Sequence, residues 1–199
     1  MPDKKSPRRR KVLTVMAALG GAFVLAVILA AGGFAFAATQ EQKDSFCASC
    51  HTQPESTYYQ RSLDAQPVDL ASAHKARDTR CIDCHSGAGV PGRMTAELMG
   101  ARNALHWYTG TAVQPAPLTV PISDENCLKC HQDVVASGDM NHHFHAFLGQ
   151  WQAIDPKAAT CVTCHPGHST EGTAQTGFQN VTATRAACEA CHAAVGGGD

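Results

Sequence analysis

The sequence predicts a mainly α-helical protein with irregular connections, in which one N-terminal transmembrane helix precedes a small domain with little or no β-sheet. Three observations support this prediction. The chain has a long uncharged apolar run near its start, one short cysteine motif occurs five times, and aromatic residues make up only 6% of the 199 residues. A domain with so few large apolar side chains cannot build a large core from its own residues.

The first predicted element is a membrane anchor. A basic head at residues 1–11 carries six Lys and Arg side chains, and residues 12–38 follow as 27 residues without a charge. A helix needs roughly 20 apolar residues to cross a bilayer, and the basic head should stay in the cytoplasm. A cleaved signal peptide is the alternative, since Ala35-Phe36-Ala37 has the A-x-A form. Its apolar region usually runs about 7–15 residues, so the length of this run favours a retained anchor.

Residues 39–199 form the predicted exported domain. It holds 10 Lys and Arg against 16 Asp and Glu, a formal charge of −6 that the whole-chain value of −1 conceals. The domain lacks a basic stripe, so we expect no nucleic-acid partner. All ten cysteines lie in it. An even number outside the cytoplasm would ordinarily indicate disulfides, but their spacing indicates a different chemistry.

The ten cysteines form five C-x-x-C-H motifs. The thiols are Cys47 and Cys50, Cys81 and Cys84, Cys127 and Cys130, Cys161 and Cys164, and Cys188 and Cys191, followed in turn by His51, His85, His131, His165 and His192. In the attachment motif of c-type haem, two thiols bond the porphyrin and the histidine is the proximal iron ligand. Zinc ribbons and redox C-x-x-C pairs are alternatives, but neither needs that histidine. The sequence therefore predicts five covalently bound haem c groups and a mainly α-helical, irregular multihaem cytochrome c whose porphyrins fill much of the core.

The motif spacing predicts how the domain is organised. Successive motifs start 34, 46, 34 and 27 residues apart. This suggests two haem pairs, at about residues 44–110 and 123–170, joined by a proline-containing connection, with the fifth haem at 185–192.

Three helices are predicted between the motifs: around residues 68–77, around 92–108, and over the stretch 138–151 with Asp139 as N-cap. In the second, apolar residues recur at helical spacing, which predicts packing against another helix. These residues are Met94, Leu98, Ala101, Leu105 and Tyr108.

Six histidines outside the motifs are candidates for the sixth position on five irons, because a second imidazole is a common haem ligand. They are His74, His106, His142, His143, His145 and His168. His168 follows His165 too closely to reach the far face of the same haem, so it should serve a neighbouring one. At 100° per residue, His143 and His145 flank the apolar face of the third helix and His142 points away. We therefore expect His74, His106, His143, His145 and His168 as distal ligands, with His142 left over.

The motif order resembles the NapC/NirT/NrfH family of membrane-anchored multihaem cytochromes c. The likeness rests on the basic head, the single membrane helix and the segments FCASCH, SAHKARDTRCIDCHSG, ENCLKCH and ATCVTCHPGH, and covers roughly residues 8–168. It implies that the first haem, at Cys47 and Cys50, lies nearest the membrane and takes electrons from quinol. It also implies that His74 is a distal ligand and that His168 and His145, or a neighbour of His145, serve two other haems.

The sequence departs from the family pattern in three places. Family members often carry an iron-binding Met two residues after the first motif, where this chain has Gln53. They also place a lysine and acidic residues near the quinol after the second motif, where Arg93, Glu97 and Arg102 are the candidates here. The fifth haem is an addition to the usual four, as in some pentahaem relatives.

The resemblance implies a membrane-anchored pentahaem cytochrome c that accepts electrons from membrane quinol or menaquinol and passes them to an extracytoplasmic redox protein or reductase complex. It would cross the cell membrane once, in contact with membrane lipid, with its N-terminus cytoplasmic and its haem domain periplasmic. Quinol oxidation would make it a quinol dehydrogenase with Glu97 able to accept a proton. The alternatives are an electron-wire subunit of a larger respiratory complex without its own quinol site, and a multihaem reductase of a small nitrogen compound. The reductase is less favoured, because six spare histidines for five irons leave no open site.

Overall fold

A computed structural model describes residues 7–50, 52–118, 120–136 and 143–195. Within these ranges the chain is helical and contains no β-strand, which confirms the predicted fold class. The helices are α1 (Pro7–Gln40), α2 (Asp44–Cys50), α3 (Glu55–Ser62), α4 (Leu70–Lys75), α5 (Cys81–His85), α6 (Gly89–Tyr108), α7 (Asp124–Leu128), α8 (Gln132–Ala136), α9 (His143–Ile154), α10 (Cys161–Cys164) and α11 (Val181–Ala194). The chain divides into two compact units, Met1–Gln42 and Lys43–Asp199.

The first unit is the long helix α1. Its segment Arg8–Gln40 has a mean hydropathy of 2.6 and no residue of its most apolar window is buried. At about 1.5 Å per residue it is roughly 50 Å long, more than the hydrocarbon core of a bilayer requires. In the described part of the chain this is the one helix long and apolar enough to cross a membrane, as predicted.

In the second unit each cysteine motif begins on a helix: these are α2, α5, α7, α10 and α11 in chain order. Cys130 of the third motif lies just beyond the end of α7 at Leu128. Two cysteines three positions apart on one helical turn share a face, as two thiols bonding one porphyrin require. Two of these helices are capped by the third residue of the motif. The backbone N–H of Arg80 donates to Asp83 Oδ2 at 2.8 Å, and that of Thr160 donates to Thr163 Oγ1 at 3.0 Å. The motif sequence thus helps to start its own helix.

The apolar core of the second unit is small. Among the described residues, those buried and hydrophobic are Leu148, Trp151, Ala159, Cys164, Phe178 and Ala187. All lie in the C-terminal half, and helices α2 to α8 bury no apolar side chain. The N-terminal half therefore lacks a protein core of its own, as expected if prosthetic groups fill the interior.

The predicted helices exist with shifted ends. The first is α4, which begins after Asp69, whose Oδ1 accepts from the Ser72 N–H at 2.8 Å. The second is α6 and the third is α9, whose predicted N-cap Asp139 lies outside the described residues.

The prediction that the α6 stripe packs against another helix is wrong. Met94, Leu98, Leu105 and Tyr108 are between 61% and 84% exposed. The stripe faces outward, and the partly exposed Ala96, Met99 and His106 lie on the opposite side of α6.

Candidate haem-ligating histidine pairs

Four motif histidines each lie opposite a histidine from elsewhere in the chain. The ring centroids are 6.2 Å apart for His85 and His168, 5.9 Å for His131 and His74, 6.3 Å for His165 and His145, and 6.2 Å for His192 and His143. A metal–nitrogen bond is about 2 Å and the imidazole centroid lies about 1 Å beyond, so two rings on opposite sides of one metal are separated by about 6 Å. Each pair therefore has the spacing needed to hold a metal between its rings. His51, the histidine of the first motif, and the spare His142 lie outside the described residues.

Hydrogen bonds orient several of these imidazoles. Nδ1 of His74 lies 2.8 Å from the Leu70 carbonyl oxygen, and Nδ1 of His165 lies 2.8 Å from that of Gly177. An imidazole that donates its Nδ1–H to a carbonyl keeps the Nε2 lone pair available for a metal. His74 and His165 are thus prepared to bind through Nε2.

His168 is held from several sides. Its ring stacks on Tyr58 at 3.9 Å, and Arg61 Nη1 donates to its carbonyl oxygen at 3.0 Å. Nδ1 of His168 is buried and has no hydrogen-bond partner among the described residues. Burial, followed by the proximity of His85, lowers the pKa of His168 to about 4. His168 is therefore neutral near pH 7, which is the form that binds metals.

The donor set fits haem better than a bare metal ion. In the described ranges, no group of three or more His, Cys, Asp or Glu gathers as a metal site, and none of the ten cysteines forms a disulfide. A structural zinc ion needs four protein ligands, whereas haem iron takes four ligands from the porphyrin and needs only the two axial ones. Paired imidazoles beside free C-x-x-C thiols match what haem requires.

An aspartate three residues before a motif recurs in both halves of the domain. Asp44 precedes Cys47 and its Oδ1 accepts from the Cys81 N–H at 2.9 Å. Asp124 stands at the same offset before Cys127, and its Oδ1 accepts from the Cys161 N–H at 2.7 Å. The sequence analysis missed this repeat, although D-x-x-C-x-x-C-H occurs at both places; the same pattern also occurs before the second motif, at Asp78.

The same contact brings the thiols of successive motifs together. The Cys127 thiol is hydrogen-bonded to that of Cys161, which lowers the pKa of Cys127 to about 7 and raises that of Cys161. The Cys47 and Cys81 thiols are hydrogen-bonded in the same way, which lowers the pKa of Cys47 and raises that of Cys81. The first and second motifs, and the third and fourth, are therefore adjacent.

Two further contacts join the remaining pairs of successive motifs. Lys129, inside the third motif, donates through Nζ to the Asp83 carbonyl oxygen at 3.1 Å and so joins the second and third motifs. The N–H of Asn180, the N-cap of α11, donates to the Cys164 carbonyl oxygen at 2.8 Å and joins the fourth and fifth. Each motif is thus in contact with the next along the chain.

The proline-containing connection returns to the first motif. The Ala116 N–H donates to the Gln53 carbonyl oxygen at 2.9 Å, and the Gln53 N–H donates to Gln114 Oε1 at 3.3 Å. The Gln53 side chain bonds Ser56 and Thr57. The side-chain amide of Gln53 is therefore already hydrogen-bonded to nearby residues. Nothing in the sequence indicated that the connection returns to Gln53.

The quinol-site candidates separate into two groups. Arg93 and Glu97 form a salt bridge on α6 with their side chains 34% and 22% exposed. Arg102 is exposed and lies about 140° around the helix from Glu97. The structure brings the first two together and leaves Arg102 apart.

An anchored helical domain with free C-x-x-C thiols and paired histidines belongs to the class of membrane cytochromes c, which carry covalently bound haem c and transfer electrons. Residues 8–118 match the model of the NapC/NirT cytochrome c family, N-terminal region, so the chain belongs to this family. It is 25% identical over 183 residues to "Cytochrome c-type protein NapC" of Haemophilus influenzae, and the alignment covers 82% of each chain. No solved structure matches the chain.

Proposed function

We propose that the protein is a pentahaem cytochrome c that accepts electrons from membrane quinol and relays them to a redox protein outside the cytoplasmic membrane. The observation that carries the proposal is the set of four histidine pairs, each joining a motif histidine to a second histidine at 5.9–6.3 Å. The candidate membrane helix, the family membership and the contact of each motif with the next support it. Bound haem supplies reversible one-electron chemistry.

The axial ligands follow from the pairs. His85, His131, His165 and His192 would be proximal ligands of the second to fifth haems, opposite His168, His74, His145 and His143 respectively. With an imidazole on both sides of the iron, none of these four sites offers the open position that a reductase of a small nitrogen compound requires.

His106 is the candidate distal ligand of the first haem. The other four candidates already face motif histidines, which leaves His106 for the site of His51. Nδ1 of His106 lies 2.8 Å from Thr111 Oγ1, at the start of the connection that returns to Gln53. The Gln53 side-chain amide is hydrogen-bonded to Ser56 and Thr57, so it is a poor substitute for the iron-binding Met that family members often carry at this position.

Replacing His106 tests this ligand. We expect His106→Ala to convert one low-spin haem to high-spin, seen as a new absorption band near the red end of the visible spectrum, because one iron loses its sixth ligand. His142→Ala is the matched control and should leave every haem low-spin. If His142→Ala produces the high-spin haem and His106→Ala does not, the two assignments are reversed.

The salt-bridged Arg93 and Glu97 are the proposed quinol-site residues. Glu97 has the carboxylate that can accept a quinol proton, and Arg93 holds it in place. Arg102 lies on another side of α6 and is the weakest of the three candidates.

Haem counting and quinol reduction test the function as a whole. Full-length protein in lipid nanodiscs should give five haems per chain in the pyridine haemochrome assay, and a menaquinol analogue should reduce them. Glu97→Gln should slow that reduction, whereas Arg102→Gln should have a smaller effect. Four haems per chain would contradict the count. Haems reducible by dithionite but never by quinol would favour the wire subunit without its own quinol site.

A further inference from the structure

Helix α6 exposes a continuous apolar face. At 100° per residue this face covers an arc of about 80° along the whole helix. Its members are Val90, Met94, Leu98, Ala101, Leu105 and Tyr108. Val90 is 73% exposed, Leu98 71% and Tyr108 84%. A soluble domain rarely leaves so long an apolar stripe in water.

The side of α6 opposite the stripe is partly sheltered. Ala96, Met99 and His106 lie there and are only partly exposed, while Asn103 on the same side is exposed. Arg93 and Glu97 are also partly exposed and lie beside the stripe, about 60° and 20° from Val90. A surface helix of a water-soluble domain has the reverse arrangement, with its apolar face inward and its charges outward. The pattern of α6 therefore suits a helix whose outer surface meets an apolar medium.

The neighbouring chain identifies that medium. Only residues 41–43 separate the end of α1 from the start of α2, a length that spans at most about 14 Å and holds the start of the domain near the bilayer. Trp107 and Tyr108 end α6, and these two residue types are enriched at membrane–water interfaces. The connection after α6 also exposes apolar residues, with Val113 68% and Leu118 86% exposed. The apolar surface thus extends past the helix.

We propose that α6 lies along the lipid headgroup region and inserts its stripe from Val90 to Tyr108 among the acyl chains, as a second membrane contact beside the anchor. This goes beyond the proposed function and holds whether the electron donor is quinol or a partner subunit. Arg93 and Glu97, which form a salt bridge beside the stripe, would then border the membrane.

The experiment uses the full-length holoprotein in lipid nanodiscs with benzoylphenylalanine, a photo-cross-linking residue, in place of Leu98. Asn103 is the matched control site, because it is also exposed on α6 but lies about 140° away. After illumination, mass spectrometry should find phospholipid adducts severalfold more abundant for the Leu98 probe than for the Asn103 probe. An unchanged haem spectrum verifies the fold of each variant.

Two results would overturn the proposal. Equal lipid adducts at the two sites would place the stripe in water or against protein, and protein–protein adducts at Leu98 would identify a second copy as the occupant.

A second variant, Leu98→Glu with the probe at Leu105, should lose most of the lipid adducts because a charge opposes insertion of the stripe. Quinol reduction does not enter these measurements, so their failure is distinguishable from failure of the proposed function.

Discussion

At the scale of single residues, the four histidine pairs differ in the angle between their rings. The ring planes differ by 14° for His85 and His168, 17° for His145 and His165, 85° for His74 and His131, and 74° for His143 and His192. Two axial imidazoles set the splitting of the iron d orbitals through their relative orientation. Parallel planes give a rhombic low-spin EPR signal in the ferric state, and perpendicular planes give a highly anisotropic one.

We therefore predict both signal types in the oxidised protein. His143→Ala should remove part of the highly anisotropic signal, and His145→Ala should remove part of the rhombic signal. The two residues lie two positions apart on α9, so each variant is the control of the other. Low-temperature EPR of the ferric protein is the measurement. Loss of the same signal in both variants would contradict the pairing.

The sequence allowed the candidate ligands to be counted but not paired. It shows six spare histidines and five motifs, and the short interval from His165 to His168 indicates that His168 does not serve the haem of its own motif. His85 and His168, however, are 83 residues apart, and which two histidines meet depends on how the helices pack. No sequence motif predicts the supporting contacts of Tyr58 and Arg61 with His168.

At the scale of elements, the aspartate before the first motif joins three helices. Asp44 on α2 accepts from the first amide of α5 and pairs with Lys75 of α4 at 2.6 Å. Burial acts to raise the pKa of Asp44, but the hydrogen bonds from Lys75 and Cys81 prevail and lower it. The counterpart Asp124 has Gln152 in place of a lysine, at 2.6 Å.

We expect Asp44→Ala to lower the free energy of unfolding by about 2 kcal/mol at pH 7, since it removes a partly buried ion pair and a hydrogen bond to the first amide of α5. A carboxylate whose pKa is depressed by folding stabilises the fold above its unfolded pKa of about 3.9 and loses that contribution as the pH falls through the folded value. The difference in the free energy of unfolding between the variant and the parent should therefore shrink below about pH 4. Denaturant titrations followed by circular dichroism at both pH values measure it.

Asp64→Ala is the control for this prediction, because Asp64 is exposed. It should change the free energy of unfolding little at either pH. An Asp44→Ala penalty that grows in acid would contradict the direction of the pKa shift.

Helix α6 shows where sequence patterns stop being informative at this scale. Its periodicity predicted the helix within three residues of its observed start. The same periodicity could not tell which medium the apolar face meets, because a stripe facing a protein core and a stripe facing lipid have the same spacing.

At the scale of the whole molecule, the motifs meet in chain order from the first to the fifth. The two 34-residue intervals correspond to the two Asp-to-Cys contacts. The contact of Lys129 with the second motif and the return of the connection to Gln53 join residues too distant in sequence to be inferred from it.

This order predicts the effect of changing the middle site. His74→Met should raise the reduction potential of the third haem, because thioether ligation favours ferrous iron. Quinol should still reduce the protein, but electrons should reach an external acceptor more slowly, since a central site that holds them interrupts the path. Spectroelectrochemical titration and stopped-flow oxidation measure the two effects, with His142→Ala as control. An unchanged oxidation rate despite the shifted potential would show that the third site is not on the path.

The pairing of His85 with His168 also bears on how the protein matures. An iron bound by both would close a loop of the chain as a disulfide does, worth roughly 4.6 kcal/mol for a loop of this length. The loop from His74 to His131 overlaps it, so neither closes independently of the other. A chain truncated after residue 160 would retain the whole segment 44–110 and yet leave its second haem without a distal ligand. Maturation of the domain should therefore finish only when its last third is present, and not haem by haem.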